Sequence, residues 1–258
     1  MNPVEKNTID NYIRQTVALH TPRAIQDAIN KLNGLSPHIH AWANGHQYEL
    51  KLSGSIAKGT AITGTTDIDL FVSLNPSVKD YNTLENVYVT LRNRLTGVGY
   101  IPREQNVSLG INHDNFKVDV VPGVRQDFVS TDHSLWKRKQ KTYTKTNVDK
   151  QIKNVVDSKR TFDIRAIKIW RKLRNLDFPS VYLELSVLEA LNGYAFDNPS
   201  GNFICVMEYL AKDFVGKKII DPSNSNNIIS DELSDAEKKE VARQATLTLE
   251  GSWDKSIW

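Results

Sequence analysis

The chain has one cysteine, Cys205, in 258 residues. An internal disulfide is excluded, and so is any metal site built on several thiolates. That scarcity fits a reducing cytoplasm, which is the expected location. Cys205 sits in Asn202-Phe-Ile-Cys-Val-Met207, where a small core residue is expected rather than a nucleophile. No apolar run reaches the roughly 18 residues of a membrane span, so no membrane partner is expected. The start, Met1-Asn-Pro-Val-Glu-Lys6, lacks the apolar core of a signal peptide. No internal repeat or low-complexity tract is present. His38 and His40 alternate in Ser36-Pro-His-Ile-His40, but no further Cys/His cluster accompanies them. They read as polar loop residues, not as a zinc pair.

Hydrophobic residues make up 40% of the chain and charged residues 24%, the balance of an ordinary globular protein. The length suits one large domain or two small ones. Charge is uneven. Residues 137–174 hold fourteen Lys or Arg against three Asp or Glu, a balance of +11 where the whole chain carries +3, so the rest carries −8. Such asymmetry points to a polyanionic partner such as RNA; the bland alternative is a solvated basic face. Lys137, Arg138 and Lys139 open this segment, and Arg165 and Lys172 lie near its end.

Residues 8–33 show helical spacing, with Pro22 placed to start a second helix. Residues 47–53 alternate as a strand leading into Gly54-Ser55, and a helix is expected to start near Ser55 or shortly after it. A strand is expected at 67–74. A helix is expected at 80–96, where Tyr81, Leu84, Tyr88, Leu91 and Leu95 form one stripe. Residues 106–112 and 116–121 read as paired strands around His113-Asp-Asn115. From about residue 148 the pattern is helical, over roughly 149–158, 161–174, 180–195, 202–213 and 234–248. Pro199-Ser-Gly-Asn202 reads as a break and Asp221–Asn227 as a turn-rich loop; Ser234-Asp-Ala-Glu237 fits a capping box. The chain thus divides into an α/β first half and a helical second half.

The chemistry concentrates in Leu52-Ser-Gly-Ser-Ile-Ala-Lys-Gly-Thr60 and Thr66-Asp-Ile-Asp-Leu-Phe-Val72. Asp67 and Asp69 are two strand acids at spacing two, so they point to one side of a sheet. Asp119, in Phe116-Lys-Val-Asp-Val-Val-Pro122, is a third acid among valines. Burying such charge is costly unless a cation compensates. Three clustered carboxylates beside a phosphate-friendly turn suggest a site for Mg²⁺ or Mn²⁺, two ions in all, handling a nucleoside triphosphate such as ATP. Gly54 permits the tight turn, and Ser55 offers a hydroxyl and an amide to phosphate. On the helix at 161–174, Phe162, Ala166, Ile169, Trp170 and Leu173 form a core stripe, while Arg165, Lys168 and Lys172 form a basic one suited to phosphates.

This pattern, Gly54-Ser55 then Asp67-Ile-Asp69 then Asp119, resembles the DNA polymerase β-type nucleotidyltransferase superfamily. Ile164-Arg-Ala-Ile-Lys-Ile-Trp170, Pro179-Ser-Val-Tyr-Leu-Glu184 and Ile219-Ile-Asp-Pro-Ser-Asn224 look like the helical half of its OAS/cGAS/DncV-like (CD-NTase) branch. Archaeal-type CCA-adding enzymes are similar over much of the same core. The resemblance covers roughly residues 45–248 and lacks a zinc-binding insertion of the cGAS kind. It implies an α+β fold: a polymerase β-like mixed sheet with helices over residues 1–130, with N-terminal helices bridging both lobes. A helical lobe over 131–258 would follow, with the active site in the cleft between them. It implies that Asp67, Asp69 and Asp119 hold the metals and that Gly54, Ser55 and Lys58 contact phosphate. Lys168, Ser180 and Tyr182 would reach the nucleotide from the helical lobe, and Asp221 would lie near a nucleotide-facing loop.

The activity implied is transfer of a nucleoside monophosphate from a triphosphate to a hydroxyl, giving a short or cyclic oligonucleotide as in antiviral defence. A second reading is template-independent addition to an RNA 3′ end, favoured by the basic segment. A third, from another class, is a non-catalytic or antitoxin-like module; the complete acid triad argues against it. Base preference, linkage, acceptor and oligomeric state are not encoded in these motifs.

Overall fold

The structure is a computed structural model that describes residues 3–23, 25–64, 67–80 and 82–251. In chain order the elements begin with α1 (Pro3–Leu19), α2 (Ile25–Lys31), α3 (Ser36–Ala43), β1 (Gln47–Leu52), α4 (Gly54–Ala57), β2 (Ile68–Leu74) and α5 (Leu84–Gly97). There follow β3 (Arg103–Glu104), β4 (Leu109–His113), β5 (Phe116–Arg125), β6 (His133–Lys137) and β7 (Thr142–Thr146). The rest comprises α6 (Val148–Asp157), α7 (Thr161–Leu173), α8 (Ser180–Ala190), α9 (Pro199–Lys212), β8 (Ile220–Asp221), β9 (Asn224–Ile228) and α10 (Asp235–Glu250). None of the described helices is long and apolar enough to cross a membrane.

Two compact units emerge, the first built from residues 22–58 and 65–152, the second from residues 1–21, 59–64 and 153–258. The first unit is organised on a mixed sheet of order β1-β2-β5-β4-β3. Its β2 and β5 run parallel, Ile68 facing Val118 and Asp69 facing Asp119. All other pairings are antiparallel. The ten-residue β5 pairs with β4 over its first half and with β6 at its end.

Alternation along β2 and β5 divides the sheet into two unlike faces. On one face Ile68, Leu70, Val72, Val118 and Val120 are buried against Leu35, Ile39 of α3, and Tyr88, Leu91 and Leu95 of α5. Leu91 has no exposed surface, and cutting it to alanine costs about 2–5 kcal/mol by the usual cavity scale. On the other face, Phe71 and Val121 pack with Leu135 and Val148 at one end only. The opposite end of that face carries Asp69 and Asp119.

Local chemistry fixes the elements. Thr83 caps α5, its hydroxyl accepting from the Asn86 amide at 3.1 Å. Asp114 and Asn115 both have positive φ, the paired left-handed turn that suits a two-residue hairpin between β4 and β5. Ser234 and Glu237 close the expected capping box at the start of α10. Tyr81, counted in the α5 stripe, lies outside the described residues, as does Thr66 of the aspartate motif.

Four differences from the sequence pattern stand out. His38 and His40 lie on α3, not in a loop; Pro37 in the first turn supplies the start. Pro199 likewise opens α9 instead of breaking the chain. Residues 133–146 form the hairpin β6–β7 and join the sheet of the first unit, where a helical lobe from residue 131 was expected. The strand signal of Thr142-Tyr-Thr-Lys-Thr146 is short, and the basic turn beside it hides its period. Asp221–Asn227 is a small hairpin, with the buried Asp221 carboxylate accepting from the Ser223 amide at 2.8 Å.

The second unit is helical. Ile164, Ile167, Ile169 and Trp170 of α7 are buried with Tyr182 and Val187 of α8, Phe203, Val206 and Met207 of α9, and Val241 and Ala245 of α10. The Trp170 indole donates to Thr248 at 2.9 Å.

Candidate active site

The sheet places two of the three acids side by side. Asp69 and Asp119 are register partners on parallel strands, so their side chains leave the sheet on the same face. Both are half-buried, as is Asp67, which lies just before β2. Like charges held this close on a partly dry surface repel one another, which a bound cation relieves.

The Gly-Ser turn is stitched directly to this strand. The Ser53 amide donates to the Asp69 carbonyl at 2.8 Å, and its hydroxyl reaches the same oxygen at 3.3 Å. Gly54 follows with φ +59°, a backbone conformation that favours glycine. A Cβ there would lie 1.7 Å from Oδ2 of Asp69. The Asp69 carboxylate therefore occupies the space a side chain would fill, and no residue other than glycine fits. Ser55 is half-exposed on the single turn of α4. Lys58 is buried at the end of that turn, its amide donating to Gly54.

Asp119 is held from the opposite side. The Gln105 side-chain amide donates to its Oδ1 at 2.7 Å. Gln105 is itself fixed, since the Ser108 hydroxyl donates to its Oε1 and Tyr88 donates to its carbonyl, both at 3.0 Å. Burial pushes the Asp119 carboxyl above the ordinary carboxylate range; the Gln105 amide opposes the rise and the Asp67 charge adds to it. Gln105 was not legible as a site residue, because its role depends on the reversal between β3 and β4.

Among the described residues, no group of three or more His, Cys, Asp and Glu is gathered closely enough to hold a metal ion. The three acids are thus not a closed cage. The donors present are carboxylate oxygens in lateral register, and the Gly54 notch leaves room for Asp69. Magnesium is ordinarily held by one or two carboxylates, waters and substrate phosphates, a pattern these oxygens fit.

The other sequence-predicted residues fall in the helical unit. The Lys168 ammonium is 2.7 Å from Glu184 and donates to Thr60 at 2.9 Å, with both charged side chains almost wholly buried. It is therefore engaged in a closed core triad, not presented to phosphate. Tyr182 has no exposed surface and stacks on Phe214 with ring centroids 4.8 Å apart; it is a core residue in this structure. Ser180 is exposed at the start of α8, where Arg171 donates to its hydroxyl at 3.3 Å. Arg165 donates to Thr21 at 2.9 Å and Lys172 to the Thr63 carbonyl at 3.0 Å, so neither is a bare surface cation. Helical periodicity cannot separate a buried charge from an exposed one when the partner is distant in sequence.

The basic segment is likewise split. Lys137, Arg138 and Lys139 lie at the β6–β7 turn in the sheet unit, while Arg165 and Lys172 belong to the helical one. Arg138 pairs with Glu104 and donates to the Gln105 carbonyl at 3.3 Å.

Residues 41–162 match a family model described as a nucleotidyltransferase domain. No curated protein sequence matches the chain. Among solved structures, that of Bradyrhizobium diazoefficiens CD-NTase CdnG in complex with GTP superposes with a TM-score of 0.76 at 12% identity, over 94% of this chain and 90% of that one. E. coli MS115-1 CdnC with ATP gives 0.72 at 20% identity, over 91% and 89%. An H336N mutant of the Cid1 poly(U) polymerase bound to MgATP gives 0.69 at 10%, over 93% and 92%. Residues 41–162 thus match a nucleotidyltransferase domain, and the chain shares the fold of the solved CD-NTase and poly(U) polymerase structures.

Proposed function

We propose that the chain transfers a nucleoside monophosphate from a nucleoside triphosphate to an acceptor hydroxyl, and does so repeatedly to build a short or cyclic oligonucleotide. The observation that carries this reading is the lateral pair Asp69–Asp119 with the Gly54 turn pressed against Asp69. The similar CdnC and CdnG structures, with ATP and GTP, support it.

In the reaction, the acceptor oxygen bonds to the α-phosphorus and the bond from that phosphorus to the bridging oxygen breaks. Pyrophosphate leaves, and Asp119 takes the hydroxyl proton. Mg²⁺ or Mn²⁺ at Asp67, Asp69 and Asp119 would supply neutralisation of the triphosphate and activation of the acceptor hydroxyl. Ser53 fixes the turn so that Ser55 faces the donor phosphates. Gln105 holds Asp119 in one orientation.

A second reading, nucleotide addition to an RNA 3′ end, draws on the likeness to Cid1 and on the exposed basic turn at Arg138 and Lys139. One experiment separates them. The pure protein is incubated with Mg²⁺ or Mn²⁺ and each labelled triphosphate, with and without bulk tRNA, and products are resolved by size and phosphatase resistance. Small phosphatase-resistant products without RNA are expected. Label confined to RNA establishes the tailing enzyme, and no transfer under any condition leaves a non-catalytic module. The double variant D67A/D69A is expected to keep its fold by circular dichroism and lose all transfer; full activity would overturn the carboxylate mechanism.

A further inference from the structure

The row of residues that begins with Asp69 and Asp119 continues across the sheet. Asp119 is paired with Gly110 on β4, and Gly110 with Arg103 on β3. Lys117, two residues before Asp119, is paired with Asn112. Register partners share a face, so Asp119, Arg103, Lys117 and Asn112 rise around a position where Gly110 contributes no side chain. The result is a notch of about 190 Å³, lined by these residues and by the exposed Ile101. A Cβ on Gly110 would lie 2.9 Å from Nε2 of Gln105, 3.0 Å from Oδ1 of Asp119 and 3.3 Å from Nε of Arg103. The glycine therefore keeps the notch open between a carboxylate and a guanidinium.

The charges in this notch are unequal. Asp119 is engaged by Gln105 at 2.7 Å. Arg103 and Lys117 are exposed, and neither forms an ion pair with any described residue. Two unpaired cations converging on a cavity, one of them the fork-shaped guanidinium, are suited to an anion with several oxygens.

We propose that this notch is a phosphate subsite on the acceptor side: Arg103 and Lys117 hold a phosphate of the molecule whose hydroxyl is presented to Asp119. The inference rests on the nucleotidyl-transfer reading above and deepens it by naming the acceptor class. The acceptor is a phosphorylated nucleotide species, either a free nucleotide or the end of a phosphodiester chain. A bare nucleoside or a protein hydroxyl lacks the group that the notch recognises. The backbones of Arg103 and Asp119 stand about 10 Å apart across two strands, and their side chains converge on the Gly110 position.

The test uses the full chain with α-labelled ATP as donor and GTP, a short RNA or guanosine as acceptor. In parallel, amide hydrogen exchange over residues 103–113 is followed with each acceptor alone. Guanosine is expected to be a poor acceptor. The variant R103A/K117A is expected to raise the acceptor KM of GTP or RNA by about tenfold or more, with the donor KM unchanged. R103K/K117R is expected to recover part of the loss. An effect confined to GTP identifies a free nucleotide, and one confined to RNA identifies a chain end. The proposal is overturned if guanosine matches GTP, if donor and acceptor KM rise together, or if no phosphorylated acceptor slows exchange at 103–113. Absence of transfer from every triphosphate sinks the transfer reading alone. Exchange protection by GTP but not guanosine, lost in R103A/K117A, then still establishes the anion site, and its absence refutes it.

Discussion

The helical unit and the sheet unit both set charge beside an apolar core, and they complete it differently. In the helical unit Lys168, Glu184 and Thr60 close on one another with almost no exposed surface. Arg160 is treated likewise, buried beside Asp163 while donating to the carbonyls of Leu191 and Ala195. In the sheet unit the acids Asp69 and Asp119 stand half-exposed in register, and Arg103 and Lys117 have no ion-pair partner among the described residues. A closed network fixes packing, since every donor already has its acceptor. An open one keeps charge exposed to solvent, which is the ground for the site proposed above.

Breaking the closed side gives the largest expected effect. Lys168→Ala leaves Glu184 buried without its partner and is expected to lower unfolding free energy by about 3–5 kcal/mol in denaturant titrations. The apolar replacement K168M/E184L/T60V is expected to recover most of that, as buried pairs often exchange for packed hydrophobes at little net cost. A loss of the same size in the triple variant would show that the triad itself stabilises the unit.

The sheet unit has one closed group of its own, His133. Its Nδ1 donates to the Thr131 carbonyl at 2.9 Å and its Nε2 accepts from Ser73 at 2.7 Å. Burial lowers its pKa from 6.5 to about 4. Because the folded value lies below the unfolded one, the contribution is complete above about pH 6.5 and falls as pH drops to about 4, by about 3 kcal/mol in all. Denaturation at pH 7 and at pH 4.5 is expected to show this loss in the native chain, and His133→Gln is expected to remove that increment of the difference. A variant with an unchanged pH slope would mean that the carboxylates alone set it.

On the open side, Gly54→Ala drives a methyl into the Asp69 carboxylate. A displacement of that acid by an ångström is expected to reduce transfer by about 10²-fold, with unfolding in denaturant little changed beyond the strain at φ +59°. Activity within a few-fold of the native chain would show that Asp69 is not held to its position by the turn.

The open side was also the more legible one. Asp67, Asp69 and Asp119 announce themselves because acids interrupt β-branched runs, and Gly54 because a Gly-Ser pair ends an alternating strand. Most helix and strand positions followed from period alone. Lys168 and Tyr182 misled because their surroundings come from Thr60 and Phe214, far off in sequence. A basic stripe on α7 reads the same whether its middle lysine meets water or a carboxylate. Arg103, Gln105 and Lys117 carried no signal because their meaning arises from cross-strand register, which β3, only two residues long, hardly advertises. The hairpin β6–β7 was hidden by its own charge.

The closure of the helical unit is not complete, and its gap gives the smallest effect. The hydroxyls of Tyr182 and Tyr209 are buried with no hydrogen-bond partner among the described residues. Burial accordingly pushes the Tyr182 phenol up to about 12 and Tyr209 higher still. An unpaired buried hydroxyl costs about 1–3 kcal/mol, so Tyr182→Phe, which keeps the ring stacked on Phe214, is expected to raise stability by about 1 kcal/mol. For a chain of this size that is a rise in melting temperature of about 2–4 °C by calorimetry. The same variant tests the resemblance-based role of this residue. A tyrosine that serves only the core leaves the donor KM unchanged when its hydroxyl is removed, whereas a tyrosine that reaches nucleotide raises it. A stabilised variant with a raised KM would mean that the helical unit opens during turnover to present a hydroxyl it otherwise buries.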